Sequence, residues 1–399
     1  MASGRRQIIY IAFLVTGNLI GAGILGLPIN TGLAGFAPSV ISLIVVCGAM
    51  LFTAFVIGEE ACGARQDTFN LPSLYEKYLG SWGKWIATSA NLLILYCLLT
   101  AYISGCALIL SNIFANIIPQ KLTMILAAAI MTGITIGGME LVKRCNALLM
   151  FLMWASFGLI VFLAEKEIVL GRYLHSNWAD LPATVPIIVT AFHFHNIIPS
   201  ICRDMKWDIK AVFKAMLAGM IIGFLMNFIW IQVGIGALPL DGDISIMNSF
   251  SKNEPATIPM AAMLGSKLFT ASAIAFAIIA IATSYFANGT GLMGFLEDLF
   301  VNSLKIGRNK ILIIAAAFVP PVAVALSYPE IFLKAINIAG GFGIVTLFGI
   351  LPSIISLKKA RSPGRKGFAL AMLGLFILFL LFEAAQEFGC FYIPSGTES

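Results

Sequence analysis

Gly17-Asn18-Leu19-Ile20-Gly21-Ala22-Gly23-Ile24-Leu25-Gly26-Leu27-Pro28 sits in the middle of the first apolar run of this 399-residue chain. A long apolar run is expected to form an unbroken helix, yet this one carries the residues that interrupt helices. Gly21 and Gly23 tolerate backbone angles closed to other residues and have no side chain to obstruct a ligand. Pro28 has no N–H to give to the Ile24 carbonyl four residues earlier. A helix that stops inside hydrocarbon strands N–H and C=O groups at several kcal/mol apiece, so a break there lines a cavity or holds something. A second such stretch, Phe192-His193-Phe194-His195-Asn196-Ile197-Ile198-Pro199, falls in the sixth apolar run. There Pro199 leaves the His195 carbonyl without its helical donor. Breaks at matching places in two halves of a membrane chain predict a substrate site between inverted repeats, the plan of a secondary transporter.

Composition leads the same way. The chain is 59% hydrophobic and 11% charged, with a mean hydropathy of +0.95. That is too few charges to cover a soluble domain of this length. Eleven membrane spans are predicted, at roughly residues 8–32, 37–61, 85–117, 121–138, 146–165, 182–202, 211–239, 267–296, 310–328, 331–357 and 367–389. The expected fold class is an all-α polytopic membrane protein, a single transmembrane domain over residues 1–399. Arg5 and Arg6 ahead of an apolar run imitate a secretory signal. The run is long, glycine-rich and continues into a second span without a clear cleavage site, so it reads as a retained first span.

Loop charge sets the predicted topology. With the N-terminus inside, nineteen Lys and Arg residues fall in inner segments and six in outer ones. The N-terminus is therefore expected in the cytoplasm and the C-terminus outside. The net charge of +6 is this bias and predicts no nucleic-acid partner. Seven scattered cysteines show no paired spacing, which predicts neither a disulfide framework nor a zinc site. No metal and no cofactor is expected.

Residues 8–165 and 182–357 can be laid on each other as two five-span sets of opposite orientation, with span 11 (367–389) outside the repeat. The most polar outer segment, residues 239–266, interleaves Asp241, Asp243, Asn248, Lys252 and Glu254 with Ile244, Ile246, Met247 and Phe250. That pattern suits short helices over the outer mouth or a solvated loop. The basic inner segment 203–214 is expected to anchor at anionic lipid headgroups.

The half-helix beyond the first break presents bare N–H groups and the positive end of its dipole, a seat for a carboxylate. The carbonyls before it suit an ammonium group or a cation. An amino-acid zwitterion matches both. Helix packing is the other reading, since Gly17 and Gly21 form a small-xxx-small pair. In the second break, two histidines and an asparagine lie at membrane depth, where polar side chains face a cavity or a partner. On an intact helix His193 and His195 point to nearly opposite sides, so only one faces the site unless the segment is unwound. Either can bond a substrate hydroxyl, pair with a carboxylate or carry a proton, or bond a neighbouring helix instead. Phe192 and Phe194 stack on an aromatic substrate or fill the core.

Span 3 carries Tyr96, Thr100 and Ser104 on one polar stripe, with Asn91 and Tyr102 nearby. Thr283, Ser284, Asn288 and Gly291 lie on span 8, and Asn227 and Gln232 on span 7. On span 10, Asn337 precedes Gly340, Gly341 and Gly343, a third flexible point. Each serves a site or helix packing. Glu383 and Glu387 close span 11 at its outer end, and no carboxylate reads as deep enough to carry a proton. The histidines are thus the expected proton carriers. A metalloenzyme built on His193-Phe194-His195 would lack Cys or carboxylate partners at useful spacing.

The run Gly21-Ala22-Gly23-Ile24-Leu25-Gly26-Leu27-Pro28 resembles the first-span glycine motif of the amino acid–polyamine–organocation transporters. With Thr16-Gly17-Asn18, the run 192–199, Gly340-Gly341-Phe342-Gly343 and eleven spans, the chain resembles over essentially its whole length the aromatic and hydroxy amino acid permeases. These include the tryptophan- and tyrosine-specific permeases of bacteria. The resemblance implies a leucine-transporter-type 5+5 inverted repeat plus one helix. It implies uptake of an aromatic amino acid, tyrosine or tryptophan, across a bacterial inner membrane with a coupling cation, a proton sooner than sodium. By this analogy Gly21, Ala22 and Gly23 hold the carboxylate and span 6 meets the ring.

The candidate substrate-binding set is Asn18, Gly21, Ala22, Gly23, Tyr96, Thr100, Phe192, His193, Phe194, His195 and Asn196. The candidate coupling residues are His193, His195, Thr283 and Ser284. In sodium-coupled relatives an ion lies between spans 1 and 8, near hydroxyls that match Thr283 and Ser284. In some proton-coupled relatives a span-5 lysine takes that place, and span 5 here has none before Lys166. A serine or threonine symporter of the same fold is the alternative function.

Overall fold

The structure, a computed structural model, describes residues 2–21, 23–65, 71–113, 117–137 and 139–389. Span 1 is broken as its glycines require. Its halves, Arg6–Leu19 and Gly23–Ala34, are inclined at 59°. Span 2 (Phe36–Ala64) follows a reversal at Gly35, whose φ of +86° no side chain could share with the His175 carbonyl packed against it. Span 3 lies in Leu71–Ile113, which kinks at Gly80. Spans 4 (Gln120–Gly137) and 5 (Met139–Ala164) follow. Three short 3-10 turns then lead to span 6, which is split into Leu181–Ala191 and Ile198–Asp204.

Span 7 (Ile209–Ala237) begins where the Asp208 carboxylate accepts from the N–H groups of Lys210 and Ala211. Two short helices, Ile246–Ser251 and Thr257–Leu264, separate it from span 8 (Lys267–Asp298). Span 9 (Lys310–Ser327) is capped by Asn309 in the same way. Span 10 runs from Phe332–Ile338 through a wide π-helical stretch, Ala339–Ile350, into Leu351–Lys359. Span 11 is Pro363–Glu387. Ten of these are long and apolar enough to cross a membrane alone, and the two halves of span 1 make the eleventh. The predicted all-α polytopic class therefore holds. Among the described residues the β content is one isolated bridge, Gly35 to Ser176.

Because the spans alternate in direction, the turns of 165–180 and the helices of 238–266 share the face opposite the N-terminus, here called the far face. The segment 239–266 does form short helices over the mouth. Ala256 N–H donates to Leu25 O at 2.8 Å, and Ile246 packs on Gly32. From the 3-10 turns, Asn177 N–H donates to Ala34 O at 2.8 Å.

Span 7 fixes span 1 in place along a glycine stripe. A β-carbon at Gly219 would lie 2.6 Å from Val15 Cβ, and one at Gly234 would lie 2.6 Å from Pro28 Cγ. The Thr16 hydroxyl donates to Gly219 O at 3.2 Å. Lipid gives apolar side chains no reason to cluster, so close backbone approach through small residues is what holds such helices together. Both halves of span 1 are gripped by the same partner, which keeps the break at a fixed depth. We expect Gly219→Leu to force the two spans apart at a cost of about 1–3 kcal/mol. The midpoint of heat-induced unfolding in detergent, followed by tryptophan fluorescence, should fall. An unchanged midpoint would show that the contact is loose.

Candidate substrate-binding site

Backbone hydrogen bonds locate both breaks. In span 1 the ladder ends with Ile20 N–H donating to Thr16 O at 3.0 Å and resumes with Ile24 N–H donating to Gly21 O at 3.2 Å. The N–H groups of Gly21 and Gly23 fall in the gap, and Ala22 lies outside the described residues. In span 6 the last bond is His193 N–H to Thr190 O at 3.2 Å, and the next is Ile197 N–H to Phe194 O at 3.1 Å. The His195 carbonyl, expected to be free because of Pro199, instead accepts from the Ile198 N–H in a tight 3-10 turn. A proline blocks only the four-residue bond, and the shorter turn uses the carbonyl one residue sooner.

The two breaks touch. A β-carbon at Gly23 would lie 3.3 Å from Thr190 Cγ2 and 3.5 Å from Ala191 N. One at Gly21 would lie 3.1 Å from Ser284 Oγ. Gly23 thus admits span 6 to the break, and Gly21 admits span 8. Between them lies a cavity of about 680 Å³. Asn18, Gly21 and Gly23 line it from span 1, and Thr190, His193 and Asn196 from span 6. Tyr102 lines it from span 3, and Thr283, Ser284 and Asn288 from span 8. Towards the N-terminal face its wall turns aromatic, with Phe13 and Trp154 edge to face at 5.7 Å. A second hollow of about 420 Å³ shares Asn196, Ala287 and Asn288 with it and runs on to Phe295 and Asp298 at the N-terminal end of the molecule.

The far side is sealed. Asn30 Nδ2 donates to Asn337 Oδ1 at 3.2 Å and to Ala183 O at 3.4 Å, and the Thr190 hydroxyl donates to Ile336 O at 3.2 Å. Among the described residues, no Asp, Glu, Lys or Arg lines the cavity. A charged guest there would be met by main-chain dipoles and neutral polar groups.

Unwinding puts both histidines on one side, where an intact helix would split them. Their rings are parallel at 6.3 Å, and both pack on Phe348. His193 faces the cavity, and its Nε2 has no protein partner. His195 is fully buried. Its Nε2 lies 3.0 Å from Thr53 Oγ1 and 3.1 Å from Met50 O. A carbonyl can only accept, so this nitrogen carries the hydrogen.

Asn18, Gly21, Gly23, His193, Asn196, Thr283 and Ser284 therefore meet at one cavity. Several candidates do not reach it. The Tyr96 hydroxyl donates to Ala316 O on span 9 at 2.8 Å, and the Thr100 hydroxyl donates to Tyr96 O at 2.8 Å. Phe192, Phe194 and His195 are buried within protein. Span 3 has polar groups on two faces, and Tyr102 occupies the one that matters here. Its hydroxyl accepts from Asn288 Nδ2 at 3.3 Å and also bonds Ser284. The Ser284–Asn288 spacing on span 8 was the available signal for this cluster. The Phe13–Trp154 wall had none, because aromatic residues abound in every span.

A cavity held between two broken spans, open to one face and sealed at the other, defines a membrane carrier of the leucine-transporter type. The solved structure of Mhp1, a nucleobase-cation-symport-1 family transporter in a closed conformation with bromovinylhydantoin bound, shares this fold. The two superpose with a TM-score of 0.59 over 98% of this chain and 95% of that one, at 14% identity. The signature of the Tryptophan/tyrosine permease family spans residues 5–387, and the chain belongs to that family. The tyrosine-specific transport system 1 of Haemophilus influenzae is 29% identical, over 87% of each chain. The tryptophan-specific transport protein of Shigella flexneri is 24% identical over 88% of this chain and 87% of the relative. The protein is a transporter and not an enzyme.

We expect Gly23→Leu to abolish substrate binding, because its side chain meets Thr190 and the Ala191 backbone where the breaks touch. Scintillation proximity with labelled substrate on purified protein is the measurement. Wild-type affinity in that variant would remove the first break from the site.

Proposed function

We propose that this protein imports an aromatic amino acid, tyrosine or tryptophan, across a bacterial inner membrane by symport with a cation, a proton sooner than sodium. The observation that carries the reading is the cavity between two bare backbone segments, lined among the described residues by no charged side chain. The substrate carboxylate takes the N–H groups of Gly21 and Gly23 at the positive end of Gly23–Ala34. The ammonium group takes main-chain carbonyls and the Ser284 hydroxyl. A volume of about 680 Å³ leaves room for a ring beside the zwitterion. The unpartnered Nε2 of His193 suits a phenol hydroxyl or an indole N–H, which a buried polar group would otherwise leave unmet.

Access alternates as one helix bundle rocks against the other around the site between the breaks; residues 8–165 and 182–357 are the two inverted five-span sets, with span 11 outside them, and the interlock of spans 1 and 7 makes those two spans move together. Loop charge puts the N-terminus in the cytoplasm and the C-terminus in the periplasm. The state described here then faces inward. Thr283 and Ser284, beside Asn18 and Gly21, are where a cation would sit near the substrate, and His193 is the titratable group within reach of both.

Uptake into proteoliposomes tests this, with labelled tyrosine, tryptophan, phenylalanine and serine under an imposed proton gradient and then a sodium gradient. Accumulation of tyrosine or tryptophan under the proton gradient is expected. Accumulation of serine alone would defeat the aromatic assignment, and no movement under either gradient would defeat symport. His193→Ala should weaken tyrosine binding by about 2–10-fold, the worth of one neutral hydrogen bond. His195→Ala should leave affinity intact and lower thermal stability instead.

A further inference from the structure

Span 11 carries a group that the cavity does not use. Glu383 stands in the last turns of Pro363–Glu387, in a helix otherwise nearly all apolar. The sequence placed it at the outer end, where water reaches. The structure instead leaves it 1% exposed, with Oε2 lacking any hydrogen-bond partner. It lies against Gly341, in the π-helical stretch of span 10. A β-carbon on that glycine would come within 2.7 Å of the Glu383 carboxyl carbon.

Among the described residues no ion pair to it is seen, and the cation that acts on it, Lys334, does so from a distance. On its own helix Glu387 stands one turn further out and is held by Lys334 of span 10 at 3.0 Å. Of the other segments packed on span 11, Ala339–Ile350 and Leu181–Ala191 carry no titratable side chain, and Phe36–Ala64 meets it through Phe52 on Phe368, at the opposite end of the helix from Glu383. Leu351–Lys359 also packs on it, but its Lys358 and Lys359 bond Tyr78 O and Glu60 at the N-terminal face. A bare carboxylate out of water costs far more than a protonated carboxyl. An ionisable side chain inside a span calls for a functional explanation.

Gly341 sits where span 10 must bend. Just before it, Leu333 fills the space at Gly26, Ile336 O accepts from Thr190 and Asn337 accepts from Asn30. These contacts seal the far mouth. Just after it, Leu347 O accepts from Tyr75 at 2.6 Å, and Gly349 packs on Phe376. Opening the far mouth has to release residues 332–340 while 344–359 stay docked. The change of direction then falls on the wide, glycine-rich turns at Gly340 and Gly341.

We propose that Glu383 is a proton-binding site that governs the outer gate. This rests on the alternating-access reading above. Its carboxyl carries a proton while span 10 seals the far mouth, and it releases that proton to water when the hinge at Gly341 opens. Protons outside therefore favour the sealed arrangement, and high external pH favours the open one.

The test replaces the seven native cysteines and puts a thiol in the seal with Ala335→Cys, a position 3% exposed. Labelling of the purified protein by a maleimide is compared at each pH between the Glu383 background and Glu383→Gln, so that thiol chemistry cancels. The ratio of rates should approach one at low pH and rise by up to about tenfold per pH unit through the titration. Glu387→Gln should keep that rise. Gly341→Ala, which crowds the carboxyl, should label fast even at low pH. Equal rates in the Glu383 and Gln backgrounds at every pH would overturn the proposal and leave alternating access standing. No labelling in either background would defeat alternating access at this mouth and the proposal with it. Neither readout depends on the substrate.

Discussion

Hydrocarbon offers a bare peptide group nothing, and the rest of this molecule answers to that fact. Each break leaves main-chain donors without a partner, at several kcal/mol per group if lipid covers them. Neither break could face lipid alone. The structure presses them together, Gly23 on Thr190 and Gly21 beside Ser284, so that what they expose is a shared polar hollow. The glycines of span 7 follow from the same need. Gly219 and Gly234 hold the two halves of span 1 against one partner and stop the gap from sliding to a depth where nothing would cover it.

The two ends of the cavity are held by forces of different size. Span 1 lies on span 7 by interlocked backbone contact, which parts only if the helices separate along their length. The far mouth is closed by a few neutral hydrogen bonds, Asn30 to Asn337 and Thr190 to Ile336 among them, and by Leu333 packed into the space at Gly26. Each hydrogen bond is worth about 0.5–1.5 kcal/mol net. A seal of that strength suits an equilibrium in which the minor state lies only a few kcal/mol away. The weak contacts fall on span 10, which is also the span with the wide glycine turns. Stiffness and looseness are therefore divided between helices along lines that a carrier needs.

Much of this was legible in the chain because the signals were local. Apolar run length predicts the spans, and glycine and proline within a run predict its break, since both act on their own backbone. What the chain did not reveal depended on rotation or on a distant neighbour. Tyr96 and Thr100 look like a lining stripe, but span 3 is turned so that Tyr102 faces the hollow and they face span 9. The choice between His193 and His195 hung on an unwound turn, where helical periodicity stops applying. Glu383 looked wet because it lies near a span end. It is dry because a glycine some forty residues earlier gives its carboxyl a place to lie.

A cavity lined, among the described residues, by no charged side chain is itself a solution to a carrier's problem. An arginine or an aspartate at the site would bind one end of a zwitterion strongly, but it would stand uncompensated whenever the cavity emptied. The empty carrier has to return through the membrane, so that cost would fall on every cycle. Main-chain dipoles behave differently. The N–H groups of Gly21 and Gly23 carry only partial charge, can be met by water when no substrate is present, and are held in place by the helix that follows. On the proposed reading they would bind a carboxylate without leaving a full charge behind. Breaking two helices would thus be the cheaper way to recognise a zwitterion in lipid, and a hollow of that kind is served by neutral polar groups such as Tyr102, Ser284 and Asn288, which bond one another.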